Sequence, residues 1–120
     1  MTPDLATLSV LLADDHAIVR MGFRLLLEGV GVRIVGEAES GEEAQRLATA
    51  LRPDLLVMDL SMPGCGGLAA LERILARSPA QAVLIASAHA DAVTARRALK
   101  LGARGYLCKR SPPGELLTAV

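Results

Sequence analysis

The chain has 120 residues, of which 52% are hydrophobic and 22% charged. That suits a single domain with a buried core and excludes a disordered chain. Lys and Arg (13) balance Asp and Glu (13), so the basic excess of a nucleic-acid surface is absent, and one Phe and one Tyr make poor platforms for stacking bases or flavins.

In chain order, "SVLLA" (9–13) is an apolar run read as a buried strand, and "DD" (Asp14, Asp15) follows with no spacer. Residues 16–28 follow as a helix, with Ile18, Gly22, Leu25 and Leu26 placed on one face. His16 is read as a helix-start residue without catalytic duty. A second strand is expected over 33–37. "SGEE" then predicts a capping box, Ser40 as N-cap with Glu43 reaching back, before a helix whose stripe is Ala44, Leu47, Ala48 and Leu51. A third strand covers 55–59, and Leu68, Leu71, Ile74 and Leu75 mark a third helix. The fourth strand, 82–87, precedes a helix capped by Asp91 and ended by Gly102. The fifth strand covers 105–109. "PPGELLTAV" reads as the first turns of a fifth helix, cut short, so a longer natural protein is expected. Continuous apolar strands alternating with helices predict a parallel sheet with right-handed crossovers and helices on both faces.

No apolar stretch reaches the roughly 20 residues of a membrane span, and the N-terminus lacks the basic start and apolar run of a signal peptide. Cys65 and Cys108 stand far apart without metal-ligand spacing and read as reduced, small hydrophobes. A cytoplasmic protein with no membrane attachment is expected.

Ligands of an open parallel sheet bind at the carboxyl ends of its strands, where the strand order reverses. Strand one ends in Asp14 and Asp15, strand three in Asp59, strand four in Ser87 and strand five in Lys109. Singly, each has a bland reading as a cap, turn or solvated loop residue. Together they place three carboxylates, a hydroxyl and an ammonium on one edge. Adjacent like charges about 4 Å apart repel by roughly 4 kcal/mol at an effective dielectric near 20. A hard divalent cation such as Mg2+, which prefers oxygen ligands and shares phosphate, relieves that repulsion. With no Cys or His poised beside a base, the natural nucleophile is a carboxylate, giving an aspartyl phosphate.

The stretches "LLADDHAIVRMGFRLLLE", "VGEAESGEEA", "PDLLVMDLSMPGCGGL", "IASAH" and "KLGARGYLCKRSPPGELLTAV" resemble the receiver domain of two-component response regulators, most closely the NarL/FixJ type. The resemblance covers essentially the whole chain, 1–120. It implies a flavodoxin-like (CheY-like), doubly wound five-stranded sheet of order 2-1-3-4-5, cut within its fifth helix and lacking an output domain. It implies phosphorylation of Asp59 by a sensor histidine kinase. Asp15 would bind Mg2+ directly, Asp14 mostly through water, and the main-chain carbonyl of Ser61 would be a further ligand. Ser87 would hydrogen-bond the phosphoryl group, Lys109 would neutralise it, and Tyr106 would switch rotamer. The output would be a helix-turn-helix domain of the full-length protein, which would regulate transcription, while this domain would not itself bind DNA. The resemblance leaves open a homodimer on phosphorylation. The domain would not be an enzyme in the usual sense, although it takes part in its own phosphorylation and dephosphorylation.

The chain departs from the wider pattern in places. Receivers commonly carry Pro, with a cis bond, directly after the strand-five Lys. Here Arg110 and Ser111 precede Pro112, so no cis bond is expected after Lys109. Ser stands at 87 where Thr is commoner, and Ser61 and His89 occupy positions that tune phosphoryl lifetime in the family. Two other functions compete with this one. A Mg2+-dependent phosphatase wants a second acid/base carboxylate beside the nucleophile and a lid, and "DLSMPG" offers neither. A non-phosphorylated receiver-like scaffold, acting by protein contacts alone, is the alternative, but all the site residues are present.

Overall fold

The computed structural model describes residues 8–60, 67–87 and 92–108. Its elements alternate strictly: β1 (Ser9–Ala13), α1 (Ala17–Gly29), β2 (Arg33–Ala38), α2 (Gly41–Leu51), β3 (Leu55–Met58), α3 (Gly67–Arg77), β4 (Ala82–Ser87), α4 (Ala92–Leu101) and β5 (Gly105–Cys108). All strand pairs are parallel and the order is β2-β1-β3-β4-β5. This is the flavodoxin-like arrangement expected from the sequence. Its order reverses at β1 and β3, which lie side by side, so the ends of those two strands define the crevice.

The central strands β1, β3 and β4 are buried on both faces. Val10, Leu12, Val57 and Leu84 pack with Leu27 of α1 on one side. Leu11, Ala13, Leu56, Met58, Val83 and Ile85 pack with Ala44 and Ala48 of α2, Ala70, Leu71 and Ile74 of α3, and Ala98 of α4 on the other. Burial on both faces explains why these strands are continuous apolar runs. Gly102, at φ 120, closes α4 in the left-handed conformation that glycine adopts without strain. Ser40 caps α2 by accepting from the Glu43 N–H at 3.2 Å. The Glu43 carboxylate reaches one residue further back than expected, accepting from the Glu39 N–H.

Two features differ from the sequence reading. The first is the rotation of α1. Ile18 and Leu25 are 83% and 68% exposed, while Leu27 is fully buried, Phe23 and Leu26 pack partly, and Arg20 is buried. The segment carries a polar stripe of Arg20, Arg24 and Glu28, but the helix is rotated so that Arg20 turns inward beside Leu27 while Ile18, Met21 and Leu25 face outward. A buried arginine with paired carboxylates decides it.

The second is a bulge in β2. Val10 pairs with Ile34, but Leu11 pairs with Gly36, so Val35 is extra and Ala13 meets Ala38. A one-residue slip turns every later side chain to the opposite face. Ile34 therefore packs on the α1 side and Ala38 on the α2 side, while Glu37 is brought round toward α1. Glycine at 36 suits this crowded spot, since a Cβ there would lie 2.9 Å from a Leu51 methyl and 3.2 Å from one of Leu11.

The strand ends shift by single residues. β2 runs one residue longer than expected, β3 stops just before Asp59, and β5 is described as far as Cys108. The expected fifth helix, the Asp91 cap and the peptide after Lys109 lie outside the described residues. Among the described residues, no helix is long and apolar enough to cross a membrane.

Candidate functional site

β1 delivers Asp14 and Asp15, and β3 delivers Asp59. The edge is stitched by backbone. The Asp14 N–H donates to the Ala38 carbonyl at 2.9 Å, and the Asp59 N–H donates to the Ala13 carbonyl at 2.8 Å. The three strands thus hold each other at the level where the carboxylates emerge. Asp14 and Asp59 are buried, at 3% and 1% exposure, and Asp15 is open to solvent.

Ligand atoms from Asp14, Asp15, His16 and Asp59 lie within 4.8 Å of one another. The sequence reading gave His16 no part in this cluster. It occupies the N-cap position of α1 without a side-chain cap bond. Its N–H donates to Asp14 Oδ1 at 2.8 Å, and its Nδ1 lies 3.0 Å from both Asp14 Oδ1 and Asp15 Oδ1. The imidazole nitrogen thus lies against both adjacent carboxylates.

The donor set fits a hard divalent cation. Mg2+ takes oxygen ligands at about 2.1 Å, so oxygens on opposite sides of an octahedron stand about 4.2 Å apart and those at right angles about 3 Å. Three carboxylates confined within 4.8 Å match that spacing.

The sequence reading also missed Arg20. Its side chain is 11% exposed. It donates to the Asp14 carbonyl, to Glu37 Oε1 at 3.1 Å and to Glu39 Oε1 at 3.0 Å. The available signal was charge. Arg20 lies about one turn past "DD" at the start of the Arg20, Arg24, Glu28 stripe, and "GEAES" supplies two glutamates. Pairing them needed the register of β2.

The other expected site residues are placed less fully. Ser87 ends β4, beside Cys108 of β5, and Tyr106 pairs with Ile85. Both backbones therefore lie on the half of the sheet beyond β3, with Ser87 at the same edge as Asp59. Ser61, His89 and Lys109 lie outside the described residues.

The sequence matches the response regulator receiver domain over residues 10–120. The chain belongs to that family. The response regulator UvrY of Escherichia coli O6:H1 is 41% identical over 115 residues, covering 94% of this chain and 52% of UvrY. The nitrate/nitrite response regulator NarL of Escherichia coli K12 is 38% identical, covering 93% and 52%. A LuxR-family two-component response regulator from Aurantimonas sp. SI85-9A1, solved as a crystal structure, superposes with a TM-score of 0.89 at 42% identity, covering 93% of this chain and 81% of that one. The NarL-type resemblance drawn from the sequence agrees with these relatives. The chain spans about half the length of the curated relatives it matches.

Proposed function

We propose that this receiver domain is a phosphoacceptor switch in which Asp59 is the phosphorylated residue. The observation that carries the reading is the convergence of Asp14, Asp15 and Asp59 within 4.8 Å at the switch point of a receiver sheet. Asp59 is the member that directly follows β3, across the crevice from the other two. A carboxylate oxygen of Asp59 attacks the phosphorus of a phosphohistidine on a sensor kinase. The P–N bond breaks, the imidazole leaves with the electron pair, and an acyl phosphate remains on Asp59. Asp15 and Asp14, with the Ser61 carbonyl, would hold Mg2+, which when bound supplies positive charge between the carboxylates and the phosphoryl oxygens. Ser87 donates its hydroxyl to a phosphoryl oxygen, Lys109 neutralises the added charge, and Tyr106 changes rotamer. The result is a population shift between two states of the β4–β5 half.

The same reading extends to the whole protein. Its curated relatives are about twice as long, which supports a helix-turn-helix output domain that regulates transcription. The receiver itself carries no basic excess with which to bind DNA. A cytoplasmic location and a homodimer formed on phosphorylation belong to this reading. Chemistry is limited to the domain's own phosphorylation and dephosphorylation, so it is a switch rather than an enzyme with turnover on a separate substrate.

Incubation with acetyl phosphate, with and without Mg2+, followed by intact mass measurement tests the reading. One phosphate adduct that requires Mg2+ is expected. Absence of an adduct with any donor would favour the scaffold reading.

A further inference from the structure

We infer that Arg20 is a positioning residue for the cation site, acting through the peptide that joins Asp14 to Asp15. The inference rests on the metal-binding reading of the acidic cluster. The guanidinium joins three chain segments. It donates to the Asp14 carbonyl in the β1–α1 loop, to Glu37 in β2 and to Glu39 just beyond β2. A planar fork suits this geometry, because its donors point in fixed directions toward separate acceptors.

The Asp14 carbonyl is the informative acceptor. It belongs to the peptide plane that begins Asp15. The other side of Asp14 is already tied, through its N–H, to the Ala38 carbonyl. With both peptide groups of Asp14 anchored to the end of β2, the direction in which Asp15 leaves the strand is set. Asp15 is the cluster carboxylate that is open to solvent, so its placement depends most on its backbone. The β2 bulge belongs to the same device, because it brings Glu37 round to where Arg20 can use it.

Charge alone argues the other way. A guanidinium beside a cation site repels the cation. Here Glu37 and Glu39 pair with the guanidinium at hydrogen-bond distance and cancel most of its field. Positioning and repulsion therefore predict opposite signs for the loss of Arg20, and the sign can be measured.

The experiment titrates Mg2+ into the metal-free chain. It follows amide chemical shifts at Asp14, Asp15 and Asp59, at a temperature where each variant gives a folded metal-free spectrum. Arg20→Met should weaken Mg2+ roughly tenfold or more, as loss of residues that orient metal ligands does. Arg20→Lys should also weaken it, because an ammonium keeps the charge without the fork. Arg24→Met is the control. Arg24 shares Glu37 and pairs with Glu28, so its loss should leave the affinity within about twofold of wild type. If Arg20→Met does not fold, Glu39→Gln removes one arm of the clamp at a side chain that is 70% exposed, and a measurable weakening is expected. Unchanged or tighter binding in Arg20→Met, or in Glu39→Gln where that variant replaces it, overturns the inference while leaving the phosphoacceptor reading intact. Wild-type affinity in Arg20→Lys would show that charge, not the fork, is what matters, and overturns it equally. A wild-type chain that binds no Mg2+ removes the cation-site reading and the inference with it.

Discussion

Asp14 and Asp15 are neighbours in the chain and differ in surroundings. Asp14 is buried and accepts from the His16 N–H, whereas the Asp15 carboxylate is 33% exposed and reaches solvent above the crevice. A carboxylate already accepting from the backbone has less freedom to turn toward an ion. Asp15→Asn should therefore weaken Mg2+ binding at least about tenfold, and Asp14→Asn clearly less. Calorimetric titration of both variants checks this, and equal losses would contradict the separate roles. The pairing of charges was readable from "DD" and from Asp59, because carboxylates ending apolar strands need compensation wherever the strands meet. The parts played by His16 and Arg20 were not readable. Each depends on a rotamer or a strand register, and neither leaves a spacing in the sequence.

The elements show the same division between pattern and packing. β1 and β4 have the expected bounds, and α3 buries its expected stripe, while α2 buries Ala44 and Ala48, half-covers Leu47 and leaves Leu51 41% exposed. α1 has a polar stripe of Arg20, Arg24 and Glu28, yet its rotation follows from the Arg20 pairs and the packing of Leu27, which turn one end of that stripe inward. Leu27→Ala should cost about 2–5 kcal/mol, and Leu25→Ala at the exposed face should stay within about 0.5 kcal/mol. Urea unfolding of the two variants tests the rotation, and the reverse ranking would restore the face first read from the sequence. At the opposite edge of the sheet, Ser9 at the start of β1 is tied to Asp54 just before β3. The Ser9 N–H and hydroxyl both donate to Asp54 Oδ2, at 2.8 and 3.0 Å, and hold its carboxyl below the usual aspartate range. The charged form is thus favoured by folding. Its contribution is present above the unfolded pKa of about 3.9 and is lost as the pH falls through the lower folded value. Asp54→Ala should flatten the fall in stability below about pH 4 relative to wild type. The effect should be small, because Asp54 is exposed. An unchanged acid limb would contradict it.

At the scale of the molecule, a parallel sheet with helices on both faces was legible from the alternation of buried strands and amphipathic helices, whereas the strand order came from the resemblance to receiver domains. The order β2-β1-β3-β4-β5 then puts Asp59 beside the acidic end of β1 without any further requirement. That adjacency supports the proposal that Asp59 is the phosphoacceptor. The most direct measurement is borohydride trapping of the acetyl phosphate product formed with Mg2+, followed by peptide mass mapping, on the wild-type chain and on Asp59→Asn. An acyl phosphate is reduced by borohydride to the alcohol, which marks the residue that carried it. Homoserine is expected at position 59 in the wild type and no adduct in Asp59→Asn, with that variant still unfolding cooperatively. Trapping at Asp14, Asp15 or any other residue, or a full adduct in Asp59→Asn, would contradict it.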